Sequence, residues 1–475
     1  MDYPEAIKYL ESLPDLERGR KTPGNPTMSL NSMKHLLHIM GDPQDETKTI
    51  HITGSKGKGS TSTLIASMLQ SAGYETALFT SPHLHSYRER IAFGLKPISE
   101  NSFAQGVEQI SEIIRKNGGE GIEGYSTFGI LTALFFLLVR ESPSKIDWQV
   151  VEVGLGGTTD ATNVFKSKEL AVITAISVEH AAILGKTPAE IAQHKGGIII
   201  PGCSVILSEQ KDAGVRTVIE TICEKNKTAL IEVQNVSKIK QIGHDLKSQS
   251  FQFEIGSKSN QFTLPFLGEH QLNNAATALV AIEELQKRGY PIEEKSQLEG
   301  LAGAHLAGRF EVFIKPTNHA GSLQAEQSAP FAFLLDGAHN EDSASALAVG
   351  VEQYFAPRKC ILLLALNTDK DVLGFWRAIK PVCAAVVATR SDNPRSIPPE
   401  ELISIIKDDA EGILLDTAES AERALNKAVD ASSSEKIICV AGSLYLVAQI
   451  RSLLIEKHQA ASHDQPLPSK RQNFR

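Results

Sequence analysis

The segment Ile50–Ser60 reads IHITGSKGKGS: a β-branched run that breaks into glycines around Lys58, followed by a helix-like stretch from Thr61 to Ser71. Residues of these types at this spacing build a cradle for phosphate. Gly54, Gly57 and Gly59 tolerate positive φ and let backbone N–H groups close on an anion. The helix that follows presents its positive N-terminal end to the same place. Lys58 reaches toward outer phosphates, and the hydroxyl of Ser60 or Thr61 can face a Mg²⁺. The run departs from the strict P-loop signature, because Gly59 separates the lysine from the serine. A Gly-rich turn with a solvated lysine is the plain alternative, and the strand–loop–helix setting argues against it. The chain is expected to bind a nucleoside triphosphate.

Other polar clusters recur along the chain. Ser81 precedes a proline in TSPHLH and, taken alone, reads as an ordinary Ser-Pro turn. Glu152 stands in the otherwise apolar run VVEVGLGG, where a carboxylate is costly unless paired or bound to a cation. His180, in SVEHAAILG, reads alone as a loop histidine. Together these residues offer a hydroxyl, a carboxylate and an imidazole, a set able to hold one or two Mg²⁺ ions that bridge phosphates. Lys195, in IAQHKGGIII, is by itself a solvated helix end or dipole partner. In the second half Asp336, Gly337, His339 and Asn340 form an acid–Gly–His–Asn turn, more than a plain loop needs. Arg309 is a planar fork donor suited to clamping phosphate.

The elements that must position these residues follow from the hydrophobic pattern. Buried strands are expected at Thr49–Thr53, Thr76–Thr80, Gln149–Val153, Leu170–Ile176 and Ser204–Leu207, with helical stretches between them. The alternating stretch Ser250–Leu264 predicts antiparallel hairpins decorating this first sheet, and Leu272–Arg288 a closing helix. The pattern then restarts, with strands at Phe331–Leu335, Cys360–Leu366, Ala384–Ala388 and Ile437–Val440. The fold class is α/β: a P-loop-type doubly wound sheet domain followed by a smaller Rossmann-like α/β domain. The expected limits are 1–303 for an ATP-binding domain, 304–457 for a second domain and 458–475 for a disordered tail, with Gly303–Arg309 as the hinge. SKGKGS, SPHLHS, EVGLGG and SVEH each follow a strand of the first sheet; DGAHN and AGSLY follow strands of the second. Ligands of open α/β sheets sit outside the carboxyl ends of strands, so these motifs describe one site at a cleft.

Composition bounds the classes. The chain has 475 residues, 41% hydrophobic and 22% charged, which suits a globular protein of more than one domain. A net charge of −8 argues against nucleic acid held by a general basic field. The five cysteines form no CxxC pair and read as buried thiols of a reducing compartment. The N-terminal MDYPEAIKYLESL carries no signal-peptide pattern. Phe128–Val139 falls short of the ~20 apolar residues of a membrane span and reads as a buried helix. A cytoplasmic monomer with no membrane partner is expected.

The motifs TGSKGKGS, TSPHL, RERI, EVGLGGTTDATNV, EHAAILG, HKGGII, GEHQLNNAATAL, AGRFEV, DGAHN, TDKDV, NPR–PPEEL and GSLYLV occur in one order. In that order the chain resembles the folylpolyglutamate synthase/dihydrofolate synthase family of the Mur ligase superfamily. The resemblance implies that Gly57, Lys58, Gly59 and Ser60 bind ATP phosphates, and that Asn274, Arg309 and Asp336 contact the nucleotide. It implies Mg²⁺ at two sites, one on Ser81 and Glu152 and one on His180. Lys195 matches a lysine that is carbamylated, an anionic oxygen ligand near the metals. His339 and Ser443 would lie near the incoming glutamate, and Phe128 in the segment lining the pterin pocket. The substrates implied are ATP, L-glutamate and a reduced folate or dihydropteroate.

The chain departs from the family pattern in places. Lys56 stands where many bacterial members have Asn, Thr158 replaces a common Arg, and Glu179 replaces a frequent Asp. Gly129 stands where a Phe-Glu pair is common, and Leu306-Ala307 replaces Trp-Pro. The last two bear on the choice of pterin substrate. The chemistry expected is ATP-driven amide formation through an acyl phosphate, with Lys58, Lys195 and His339 at its centre. The alternatives are the same ligase restricted to dihydropteroate or to reduced folates, and a P-loop kinase or ATPase.

Overall fold

A computed structural model describes residues 1–15, 30–117, 125–315, 331–432 and 436–463. The chain divides into two units, Met1–Leu306 and Ala307–Arg475.

The first unit is built on eight strands: β1 (Lys48–Thr53), β2 (Thr76–Phe79), β3 (Ile91–Phe93), β4 (Lys96–Pro97), β5 (Trp148–Glu152), β6 (Leu170–Ile173), β7 (Ser204–Leu207) and β8 (Ala229–Glu232). Their order in the sheet is β4-β3-β2-β5-β1-β6-β7-β8. Pairing is parallel from β2 across to β8, with β3 and β4 added antiparallel at one edge. Strand β1 lies in the middle and is buried from Thr49 to Thr53, as a parallel strand covered on both faces must be. Ile50 and Ile52 share one core with Leu64, Ile65 and Met68 of the helix Lys58–Ser71. That helix is buried from Ser60 to Leu69, and Gly300 lets a second helix close on it: an added Cβ there would lie 2.5 Å from Met68 Cα. The helix Thr127–Arg140, read from sequence as buried, packs its Ile130–Leu137 segment into the core on the other face. Among the described residues no helix is long and apolar enough to cross a membrane.

The predicted hairpins are only partly right. Strands β9 (Ser237–His244), β10 (Gln249–Ile255) and β11 (Lys258–Leu264) form a separate antiparallel sheet in the order β11-β10-β9. Phe251, Phe253, Phe262 and Leu264 face the core shared with Ile50, so the decoration is by packing and not by strand pairing. The helix expected from Leu272 starts at Glu269, and the helix expected from Thr61 already begins at Lys58.

The second unit carries β12 (Glu311–Lys315), β13 (Phe331–Leu335), β14 (Lys359–Leu364), β15 (Cys383–Ala388), β16 (Leu414–Thr417) and β17 (Lys436–Ala441). The order is β12-β13-β17-β14-β15-β16, parallel except for β12. This is the smaller Rossmann-like sheet that the sequence predicts. The final helix runs Leu444–His463, so the segment expected to be disordered from residue 458 is helical as far as His463. Residues 464–475 of that expected tail lie outside the described residues.

Candidate functional site

The sheet order of the first unit explains why distant motifs meet. Strands β2, β5, β1 and β6 are consecutive neighbours, and each is followed by one of the polar clusters. Beyond β1, Gly54 (φ 151°) and Gly57 (φ 85°) take the left-handed backbone that favours glycine, whereas Gly59 is helical and its expected positive φ is absent. Gly57 is also needed for space, since an added Cβ would lie 2.1 Å from Asn274 Oδ1. Asn274 is thereby held against the loop, and its Nδ2 donates to Gln271 Oε1 at 3.0 Å. The N–H groups of Ser55 and Lys56 donate to Ala175 O at 2.9 and 3.1 Å, which ties the loop to the end of β6. The first-turn N–H groups of the helix that begins at Lys58 have no intrahelical acceptor and point toward the loop.

Three charged groups converge on this loop. Lys58 Nζ donates to Gly54 O at 3.0 Å, and Lys195 Nζ donates to the same oxygen at 2.7 Å. Lys195 also donates to Glu179 Oε1 at 3.0 Å and is only 1% exposed. Burial first, and then the charge of Lys58, push the Lys195 amine down to about 8. Burial works to raise the Glu179 carboxyl, but Lys58 and Lys195 outweigh it and hold the group below the usual carboxylate range. Sequence reasoning noted Glu179 only as a departure from a family pattern; its contact with Lys195 makes it part of the site.

Glu152 ends β5 in register with Ile52 of β1. It is 3% exposed, its Oε2 accepts from the Ser81 N–H at 3.3 Å, and an added Cβ on Gly59 would sit 3.4 Å from the same oxygen. The carboxylate therefore lies between the end of β2 and the first turn of the phosphate-loop helix. Phe128 packs its ring on Gly154, where an added Cβ would be 2.5 Å from Cζ, and lies 5.8 Å from the ring of Phe79. His180 follows Glu179 with φ 47° and is exposed. Ser81, Glu152, Lys58, Lys195 and Asn274 are thus brought to one loop, with His180 next to Glu179 in the sequence.

In the second unit the turn after β13 is closed on itself. Asp336 accepts from the N–H groups of Phe310 (2.7 Å) and Ala338 (2.8 Å), so both oxygens have a local structural task. Arg309 lies over this turn, with Nη1 3.2 Å from the place of a Gly337 Cβ. His339 Nδ1 is 2.8 Å from Gly337 O, and Gly442 N donates to Ala338 O at 2.7 Å, which sets Ser443 beside the same turn. Ser443 is 5% exposed, and its hydroxyl has no hydrogen-bond partner among the described residues. Thr389 Oγ1, Ser391 Oγ and Asn393 Nδ2 share that condition on the loop leaving β15. Buried polar atoms are ordinarily satisfied, so these four stand out at the carboxyl ends of β17 and β15. Along the sequence Thr389, Ser391 and Asn393 lie in TRSDNPRS, dense in hydroxyl and amide residues, whose NPR also belongs to the ordered motif series.

Residues 52–282 match the Mur ligase middle domain, and residues 308–444 match the Mur ligase, glutamate ligase domain. The dihydrofolate synthase/folylpolyglutamate synthase of Bacillus subtilis is 30% identical over 435 residues, covering 90% of this chain and 94% of that protein. The enzyme of the same description from Mycobacterium tuberculosis is 32% identical over 389 residues, 79% of this chain and 76% of its own length. Two solved structures superpose over nearly the whole chain. The folylpolyglutamate synthase of Mycobacterium tuberculosis complexed with ADP gives a TM-score of 0.81 at 29% identity, covering 95% of this chain and 99% of that one. The folylpolyglutamate synthase of Thermotoga maritima gives 0.78 at 29% identity, covering 96% and 97%. With a two-unit α/β fold, a phosphate loop at the end of a central strand and both ligase domains matched, the chain belongs to the folylpolyglutamate synthase/dihydrofolate synthase family of Mur ligases.

Proposed function

We propose that this chain is an ATP-dependent ligase that joins L-glutamate to the carboxylate of a folate such as tetrahydrofolate, of dihydropteroate, or of both. The observation that carries the reading is the convergence of Lys58 and Lys195 on the Gly54 carbonyl, with Glu179 bonded to Lys195 and the Glu152 carboxylate against the first turn of the helix that begins at Lys58. The substrate carboxylate oxygen attacks the γ-phosphorus, the bond to the β–γ bridging oxygen breaks, and ADP leaves. The glutamate amine then attacks the acyl carbon, inorganic phosphate departs, and the nitrogen loses its proton. Carboxylates do not acylate amines at neutral pH, and phosphorylation supplies the leaving group. Lys58 exchanges Gly54 O for phosphate oxygens and neutralises charge as the phosphoryl group transfers. Backbone N–H groups of the loop orient the phosphates, and Asn274 holds the loop in its left-handed turn.

The donors present fit Mg²⁺, a hard cation that prefers oxygen. Glu152 is a buried carboxylate next to the Ser81 backbone, and together these residues would hold one ion. His180 and a carbamylated Lys195 would serve a second. Among the described residues no three His, Cys, Asp or Glu side chains gather into a self-sufficient cage, so phosphate oxygens and water would complete each shell. Bound Mg²⁺ supplies charge neutralisation across the phosphates. The lowered basicity of Lys195 supports carbamylation, which needs the neutral amine. Ser443, with the unsatisfied groups of the loop after β15, suits the carboxylates and ammonium of glutamate. Five buried, unpaired cysteines support a reducing, cytoplasmic setting.

The test is phosphate release from ATP with dihydropteroate or tetrahydrofolate in parallel, each with and without L-glutamate. The ligase reading requires release that depends on both a pteroate compound and glutamate. ADP formation with an acceptor alone, without phosphate release and with a stable phosphorylated product, would establish a kinase instead.

A further inference from the structure

A line of buried polar groups that the ligase chemistry does not use runs beneath the site. His51 is fully buried in β1, on the face opposite Ile50 and Ile52. Its Nδ1 lies 2.9 Å from Lys168 Nζ, and its Nε2 lies 2.9 Å from Thr162 Oγ1. Thr162 Oγ1 lies 2.6 Å from Asp160 Oδ1, and Lys168 Nζ also donates to Ile198 O at 2.8 Å. These contacts have one consistent direction. The Thr162 hydroxyl spends its one proton on the Asp160 carboxylate, so its oxygen accepts from Nε2–H of His51, and in the neutral ring Nδ1 is left bare to accept from Lys168 Nζ. Burial, with the charge of Lys168, pushes His51 well below its ordinary range and agrees with a neutral ring. Lys168 is itself lowered to about 7 by burial.

The two ends of this line grip the segments that carry the site. Asp160 accepts from Leu155 N–H at 2.8 Å and from Thr162 N–H at 2.9 Å, closing the loop that follows Glu152. Lys168 holds the Gly196–Ile198 turn directly after Lys195. The two segments also dock on one another: Thr158 N donates to His194 O at 2.9 Å and Asn163 Nδ2 to Gly197 O at 3.0 Å. An added Cβ on Gly157 would lie 2.7 Å from His194 O and 2.9 Å from Lys195 O, so the approach is close enough to exclude a side chain. We propose that Lys168, His51, Thr162 and Asp160 form a proton-ordered relay that fixes Lys195 relative to the Glu152 loop and the phosphate loop, and that Lys168, His51 and Thr162 are positioning residues for the ligation step. The kinetic consequence rests on the ligase reading above; the direction of the relay does not.

Thr162→Val keeps the shape of the side chain and removes both hydroxyl bonds, whereas Thr162→Ser keeps them. At saturating ATP and folate, Thr162→Val is expected to lower kcat at least tenfold with the KM for glutamate within twofold, and Thr162→Ser to stay within twofold in both. A network that only stabilises the fold would lower Tm and leave the kcat of the folded variant unchanged; that result overturns the positioning role. Lys168→Met, which removes the other end, serves if Thr162→Val does not fold, with the same expectation and the same refutation. Independently, ¹⁵N side-chain NMR of the full wild-type chain near pH 7 should show His51 neutral, with Nε2 protonated and Nδ1 bare. A charged ring, or the proton on Nδ1, overturns the relay whether or not the chain ligates glutamate.

Discussion

Gly57→Ala places a methyl group where the structure leaves no room for one, and its effect divides into two parts. The residue keeps φ 85°, and an L side chain in that region costs about 1–2 kcal/mol. The new Cβ would also lie 2.1 Å from Asn274 Oδ1, so the amide must turn away and give up its bond to Gln271, a further ~1 kcal/mol. In the free protein the loop can relax into an ordinary backbone and shed this strain. To receive phosphate it must return to the left-handed turn, and the strain then appears in binding. A total of about 2–3 kcal/mol corresponds to ADP affinity weakened about 30- to 150-fold. Gly73→Ala is the control: φ is 88° and an added Cβ meets nothing within 4 Å, so it carries the backbone strain without the clash and away from the phosphate loop. The assay is calorimetric titration of ADP with Mg²⁺, alongside thermal unfolding of both variants. The control should lose some stability and bind ADP normally. ADP affinity within twofold of wild type in Gly57→Ala would refute the argument that this turn must be left-handed when phosphate binds.

Glu152→Gln keeps the shape of a buried side chain and removes its charge, so kcat should fall about 10²–10³-fold with ADP affinity little changed; an unaltered rate and Mg²⁺ requirement would leave Glu152 a structural residue. With Lys195 at about 8 against an ordinary 10.5, roughly a tenth of its amine is neutral at pH 7. At fixed dissolved CO₂, a ¹³C carbamate signal from labelled bicarbonate should therefore rise from pH 6.5 and level off near pH 9, at ~9 rather than at ~11; an active, Mg²⁺-loaded protein with no such signal defeats carbamylation. Ser443→Ala removes a buried hydroxyl that has no partner among the described residues, so Tm should hold or rise slightly while the KM for glutamate rises about tenfold or more; an unchanged KM would exclude this hydroxyl from glutamate binding.

Interior strands of both sheets were legible because their physics is local. β1, β5, β6, β7, β14 and β17 are short apolar runs buried on both faces, and such runs stand out in a sequence. The strands that escaped notice lie at or next to edges. β4, β8, β12 and β16 end their sheets, and exposure on one side lets residues such as Glu232 in ALIE or Asp416 in LLDT interrupt the pattern. β9 is likewise the edge of the small antiparallel sheet, and its alternation of lysine and isoleucine hides a strand behind its charge. The helix starting at Lys58 was placed late because Gly59, Ser60 and Thr61 are poor helix formers. They stand in the first turn, which in the proposed reading cradles phosphate.

The site divides the same way. Glu152 was legible because a carboxylate in an apolar strand contradicts its surroundings, and Lys58 because glycines flank it. Lys195 gave no such signal: a lysine ending a helix is ordinarily solvated, and only the fold shows it 1% exposed against Gly54, 141 residues earlier in the chain. The same holds for His51 and Lys168, partners 117 residues apart. Their types are unremarkable along the sequence, and their chemistry exists only as pairs. A buried charge is stable when its partner is in place, so the information about such a residue lies in the partner and in the sheet order that delivers it. Adjacent strands β5, β1 and β6 perform that delivery here, carrying the Glu152 loop, the phosphate loop and the Glu179 loop to one end of the sheet. Moving any one of these three strands in the sheet order would leave every motif in the sequence intact and dissolve the site.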